Sequence, residues 1–199
     1  SLVGGDSFTG ALSRAAGENV GFYAIQQGTL AIDDGIGGNN YSLTFVEGTL
    51  TITTRNITVT ADDAGKVYGD ADPALTYQIT SGSLVGGDSF SGAISRAAGE
   101  NVGFYAIQQG TLVIDDGNGG NNYNLTFVEG TLTISARNIT VTADDKGKTY
   151  GDADPALTYQ ITSGSLVGGD SFSGAITRVA GENVGSYAIL QGTLTLGSN

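Results

Sequence analysis

The chain contains no cysteine, histidine, methionine or tryptophan, only two prolines, and only eight lysines and arginines in 199 residues. Each absence excludes something. Without cysteine there is no disulfide framework and no thiolate metal site. Without histidine no Ser-His-Asp mechanism can activate a serine such as Ser89. With a net charge of −12 there is no basic footprint to hold a phosphate backbone, so nucleic acid is excluded as a partner. No apolar run approaches the roughly 20 residues of a membrane span, so no membrane insertion is expected, and no signal peptide is visible. The sequence starts in the middle of a pattern, so a targeting segment would lie outside it. No motif requires a cofactor, and the chain is not expected to be an enzyme.

Present instead are 33 glycines and a 39% apolar content, which suits many short strands joined by tight turns. The acidic surface favours hydration, repulsion between copies and divalent cations.

SLVGGDSF begins at Ser1, Ser83 and Ser165, a period of 82 residues. Residues 1–82 and 83–164 differ at nine positions: Thr9/Ser91, Leu12/Ile94, Ala31/Val113, Ile36/Asn118, Ser42/Asn124, Thr53/Ser135, Thr54/Ala136, Ala64/Lys146 and Val67/Thr149. Such an array is quasi-one-dimensional, with neighbouring repeats of the same chain as the first partners of each unit. Repetition serves reach and avidity better than catalysis.

Period-two alternation marks the strands. RNITVTA carries Ile57, Val59 and Ala61 on one face, and ALTYQIT carries Leu75, Tyr77 and Ile79. SFSGAIS reads as a weaker strand with Phe90 and Ile94 together and Gly92 between them. GFYAIQQ places Tyr105 with Ile107, and TLVI places Leu112 with Ile114. NYNLTFV carries Tyr123, Leu125 and Phe127, and GTLTIS closes the unit as a final hairpin. The fold class is therefore all-β, a tandem array of elongated small modules of about 82 residues, β-sandwich or β-grasp-like. The frame makes 1–54 the C-terminal part of one module, 55–136 a complete module and 137–199 the N-terminal part of a third. ITTRN and ISARN between modules hold neither Pro nor Gly, which predicts stiff junctions. The partial modules leave sheet edges unpaired at both ends, which invites end-to-end self-association.

Several segments resemble sites. VYGDADPALTY and TYGDADPALTY hold paired aspartates (Asp70 and Asp72 in the first), but Gly69, an amide-capping Asp70 and an Asp before Pro73 suffice for a turn. IDDGIGGNNY and IDDGNGGNNY bring carboxylates and amide oxygens into a glycine-rich loop. This is hard-oxygen chemistry suited to Ca²⁺, with Asp33, Asp34, Asp115, Asp116 and Asn118 as candidate ligands. The distal bidentate Glu of a calcium loop is missing, and the alternative is a hairpin loop whose Asp-Gly and Gly-Gly pairs supply positive φ. ADDAGK and ADDKGK read either as a cation site or as a solvated turn neutralised by Lys66 and Lys148. A Lys–Asn isopeptide bond would need Glu129 or Glu100 in an apolar core, and both sit in turn-like settings. The aromatics Tyr68, Tyr77, Phe104, Tyr105, Tyr123 and Phe127 are expected in the core, with an exposed face that stacks on sugars as the alternative.

With YGDADPALTY, SGSLVGGDSFSGAISRAAGENVGFYAIQQGTL and NYNLTFVEGTLTI in order, the whole chain resembles the MBG (YDG/YGX-type) repeats. These form long arrays in bacterial surface proteins, including large haemagglutinin-like adhesins exported by two-partner secretion. The resemblance implies an extracellular or cell-surface setting and a role in adhesion or biofilm matrix as the repetitive shaft. The other reading is a multivalent module that holds matrix or host polysaccharide. The resemblance brings no catalytic residues. IDDGNGGNN is longer than the corresponding loop in many such repeats, and LGSN in the last copy is nearer the short form.

Overall fold

Arg55–Ala61, in which Ile57, Val59 and Ala61 alternate with polar residues, is the middle strand of a three-stranded sheet, between Tyr77–Ser81 and Tyr123–Val128. The computed structural model describes residues 1–197, so the end of LGSN lies outside the described residues. Within those residues the protein is all strand and turn, with no helix, and none is therefore long and apolar enough to cross a membrane.

The central repeat holds nine strands: Arg55–Ala61, Ala64–Val67, Tyr77–Ser81, Ser89–Ser91, Ser95–Arg96, Gly103–Gln108, Val113–Asp115, Tyr123–Val128 and Gly130–Ser135. Its first and last segments run side by side in parallel. Tyr123–Val128 lies along Arg55–Ala61 with Leu125 opposite Ile57 and Phe127 opposite Val59. Gly130–Ser135 then lies along Ala64–Val67 with Leu132 opposite Ala64. One sequence expectation changes here. The last two strands are not a hairpin but one path that crosses from one ladder to the next at Glu129. Gly130 permits the crossing, because a Cβ there would sit 2.9 Å from the Ala61 carbonyl oxygen.

SFSGAIS is also two strands rather than one. Gly92 has φ +79° and breaks it. Ser89–Ser91 pairs with Val113–Asp115, and Ser95–Arg96 pairs with Gln108 and Ile107.

The chain folds into two compact units. The first comprises Ser1–Asp62, Leu75–Ala97 and Ala106–Gly130, and the second comprises Asp63–Ala74, Ala98–Tyr105 and the chain from Thr131 onward. The core of the first unit is Ile57, Val59, Leu112, Ile114 and Tyr123, with Tyr77, Phe90, Leu125 and Phe127 packed against it. Tyr77 meets Phe90 edge-on at 5.6 Å. In the second unit Leu132, Ile134 and Leu194 are buried, and Tyr159 meets Phe172 in the same edge-on way at 5.7 Å. The period-two reading located most of this core, since alternate residues of a strand share one face.

Candidate functional site

The glycine-rich acidic loop is built around one carboxylate. Asp116 Oδ1 accepts the amides of Asn118 (2.8 Å) and Gly120 (2.7 Å), and Oδ2 accepts that of Asn122 (3.0 Å). Asp34 does the same for Ile36, Gly38 and Asn40 in the first copy. Burial pushes the Asp116 carboxyl up, and the amides of Gly120, Asn122 and Asn118 more than cancel that, so it ionises below the usual range. Asp34 behaves alike, with the Asn40, Gly38 and Ile36 amides outweighing desolvation.

Of the other candidate ligands, Asp33 and Asp115 accept the amide two residues on, from Gly35 and Gly117. Asn118 receives the Asn121 side-chain amide on its backbone oxygen at 2.6 Å. Among the described residues no group of three or more His, Cys, Asp or Glu side chains is arranged to hold a metal ion. The loop is not a hairpin either, because its flanking strands pair elsewhere: Val113–Asp115 with Ser89–Ser91, and Tyr123–Val128 with Arg55–Ala61.

What the loop does is reach the preceding repeat. Asn122 Oδ1 accepts the Val20 amide at 2.8 Å, and Asn122 Nδ2 donates to Asn19 Oδ1 at 3.0 Å. Asp116 fixes the backbone of the residue that makes these bonds. The partners lie 102 and 103 positions away, so no local pattern could have revealed them.

The YGDADP turn has a comparable role inside the second unit. Arg137, at the start of the third repeat, donates from Nε to the Tyr68 carbonyl at 2.8 Å and pairs with Asp70. Gly69, at φ +84°, lies so close to Val167 of the third repeat that a Cβ would come within 2.3 Å of Cγ2. Desolvation, with the nearby Asp170, raises the Tyr68 phenol. The segment is a turn, as expected, and it also fastens the next repeat.

The family model for the MBG domain (YGX type) matches residues 1–51, 57–133 and 139–199. The chain belongs to this family. No curated protein and no solved structure matches it. The MBG repeats succeed one another along nearly the whole sequence, so the contacts between consecutive repeats are the sites that an array of them multiplies.

The second and third MBG repeats also carry an ion cluster that the sequence assigned differently. Lys66 does not neutralise Asp62 or Asp63. Its Nζ binds Asp72 (2.6 Å) and Glu100 (2.5 Å), and its side chain is only 4% exposed. Asp72 first and Glu100 second raise its pKa. Asp62 instead accepts from the Thr76 hydroxyl and Gln78, and Asp63 accepts the Thr131 amide at 2.7 Å, clipping the last strand in place. In the third repeat Lys148 binds Asp154 (2.7 Å) and Glu182 (2.6 Å), and Arg178 binds both carboxylates as well.

Hydrogen bonds from Arg178, then from Lys148, hold Asp154 at about 2. A carboxylate whose folded pKa lies below its unfolded value of about 3.9 contributes stability above that value and loses it as pH falls through the folded one. Unfolding midpoints should therefore be flat from about pH 5 to 8 and drop between about pH 4 and 2. Asp154→Asn should flatten part of that drop in a urea titration. An unchanged acid limb would show that the cluster does not contribute.

The aromatics divide. Tyr123 is buried, and its hydroxyl donates to Asp88 and accepts the Val85 amide. Tyr105 covers Gly99, where a Cβ would lie 2.2 Å from the ring. Phe104 is 79% exposed and Phe22, its counterpart, 80%. The core expectation fails for Phe104 because strand alternation that turns Tyr105 and Ile107 inward must turn Phe104 outward.

Proposed function

We propose that these MBG repeats are spacer elements of a bacterial cell-surface protein, a shaft in an adhesin or matrix protein outside the cell. In this reading the chain is not an enzyme, a complete module runs from 55 to 136, and partial ones occupy 1–54 and 137–199. The carboxylates of the acidic loop serve the backbone, and Ca²⁺ is not required. The observation that carries the proposal is the Asn122 bridge to Asn19 and Val20, made by a loop that Asp116 holds rigid. A side chain that ties one repeat to the next resists bending at the junction, which is what a spacer needs and a ligand site does not.

The test is scattering from chains with increasing numbers of repeats. Radius of gyration should rise in proportion to repeat number, whereas freely jointed repeats would follow roughly a square root. Asn122→Ala removes two junction bonds, each worth about 1 kcal/mol, and should shift the scaling toward the flexible limit. Square-root scaling in the unaltered chain would end the spacer proposal.

Phe22 and Phe104 favour a second reading, multivalent polysaccharide binding, because they place an exposed ring at the same point of two successive repeats. Avidity for an anionic or neutral glycan would then fall steeply as repeats are removed. A flat response removes this reading.

A further inference from the structure

Asn118 is the only asparagine of the chain that is followed by glycine. It lies half-buried in the acidic loop, and Gly119 beside it is exposed with φ +70°. Every other asparagine that has a successor precedes valine, isoleucine, leucine, tyrosine or a second asparagine, whose side chain screens the amide nitrogen after it. Glycine has no Cβ, so the Gly119 nitrogen is open to the Asn118 side chain. That nitrogen is also uncommitted, since its amide donates to nothing among the described residues. We propose that Asn118 is a site of spontaneous modification, where the side-chain amide is lost and the Asn122 bridge to the preceding repeat loosens with age.

In the step, the Gly119 nitrogen attacks Asn118 Cγ. The N–Cγ bond forms, the Cγ–Nδ2 bond breaks, and the Gly119 proton leaves with Nδ2 as ammonia. Water then opens the cyclic imide at one of its carbonyls. Opening at Cγ leaves aspartate; opening at the main-chain carbonyl leaves isoaspartate, with the backbone rerouted through Cβ and Cγ. Water is the only co-reactant. Asp34-Gly35 and Asp116-Gly117 would close the same ring, but three loop amides hold each of these carboxylates ionised. A carboxylate anion is a poor electrophile, so the neutral Asn118 amide is the group that reacts.

Asn118 Nδ2 donates to Asn122 Oδ1 at 3.5 Å, and that oxygen also accepts the Val20 amide. Replacing the donor by a carboxylate sets two acceptors against each other and adds a negative charge next to Asp115 and Asp116. Isoaspartate does more. Asp116 Oδ1 spans the amides of Asn118 and Gly120, and the extra backbone atom falls between them. The first copy carries Ile36 at this place while Asp34 keeps its three amides, so the loop accepts a side chain that cannot react. The modification itself needs no spacer. Its effect at the junction rests on the Asn122 bridge of that reading, and is measured at one amide rather than by scattering.

Peptide mapping by mass spectrometry of the full chain, incubated at mildly alkaline pH, tests it, with isoaspartate counted by enzymatic methyl transfer. Asn118 should convert roughly tenfold or more faster than any other asparagine, with isoaspartate the larger product. In the converted chain, hydrogen exchange at the Val20 amide should quicken by about tenfold, as the loss of one hydrogen bond would give. Asn118→Ile, which copies the first loop, should show neither change under the same incubation. An Asn118 that outlasts the other asparagines, or that converts in urea but not in the folded chain, would overturn the modification site. Unchanged Val20 exchange in a fully converted chain would overturn its effect on the junction, and the spacer reading would still stand or fall by the scaling of fresh chains.

Discussion

Gly92→Ala should destabilise the central repeat by roughly 3 kcal/mol or more. At φ +79° the backbone is in the left-handed region, which costs any residue with a Cβ. The larger effect is collision. The new methyl would lie 2.1 Å from the Thr111 carbonyl oxygen and 2.7 Å from its carbon. Both are backbone atoms, held by the Thr111 amide bond to the Ala93 oxygen at 2.9 Å, so neither can rotate away. Two further glycines separate the contributions. Gly87 has φ +101° with nothing within 4 Å of an added Cβ, so Gly87→Ala should show the conformational cost alone, about 1 kcal/mol. Gly86 has neither difficulty, and Gly86→Ala should be close to neutral. Urea denaturation of the three variants, with hydrogen exchange at the Thr111 amide as a local probe, is the measurement. Equal costs for Gly92→Ala and Gly87→Ala would mean that the close approach does not exist in solution.

Ile57→Ala is the second large effect, about 2–5 kcal/mol. Ile57 is 1% exposed, sits on the middle strand of its three-stranded sheet and belongs to the cluster formed with Val59, Leu112, Ile114 and Tyr123. Removing its branched chain leaves a hole that a strand laddered on both sides cannot collapse to fill. The informative comparison is Ile139→Ala. Ile139 has the same neighbours in sequence but is only half-buried, because no strand lies along its outer edge. The same substitution there should cost less than half as much. Equal costs would show that the third repeat is as well packed as the second, contrary to the structure.

Particular residues show how far the sequence could be followed. Ile57, Val59, Leu112, Ile114 and Tyr123 were legible as core, because period-two alternation reports which face of a strand is buried whatever its partner. The split of SFSGAIS at Gly92 was half legible: the glycine was visible, but the Thr111 carbonyl that demands it was not. The acidic loop was legible as a loop. Its carboxylates look like cation ligands in one dimension, and only the fold shows that Asp34 and Asp116 face their own backbone amides. The Lys66 partners, Asp72 and Glu100, and the Asn122 partners, Asn19 and Val20, had no sequence signal, since side-chain bonds between distant loops leave no period.

By itself the sequence determined the all-β class, the 82-residue period, the inward face of each strand and the family. These follow from local sterics and from internal repetition, which need no partner. The tertiary structure decided which of those segments are strands at all. Tyr123–Val128 is a strand and the nearly identical 41–46 is not; Ala64–Val67 is a strand and 146–149 is not; Gly21–Gln26 is a six-residue strand, while in the third copy only Ile189–Leu190 remains. In each case the copy that forms a strand has its hydrogen-bonding partner alongside, Arg55–Ala61, Gly130–Ser135 or Gly48–Ile52, and the other copy does not. A helix closes its hydrogen bonds within itself, whereas a strand must find them on a neighbour, so the same residues take different structures according to what lies beside them.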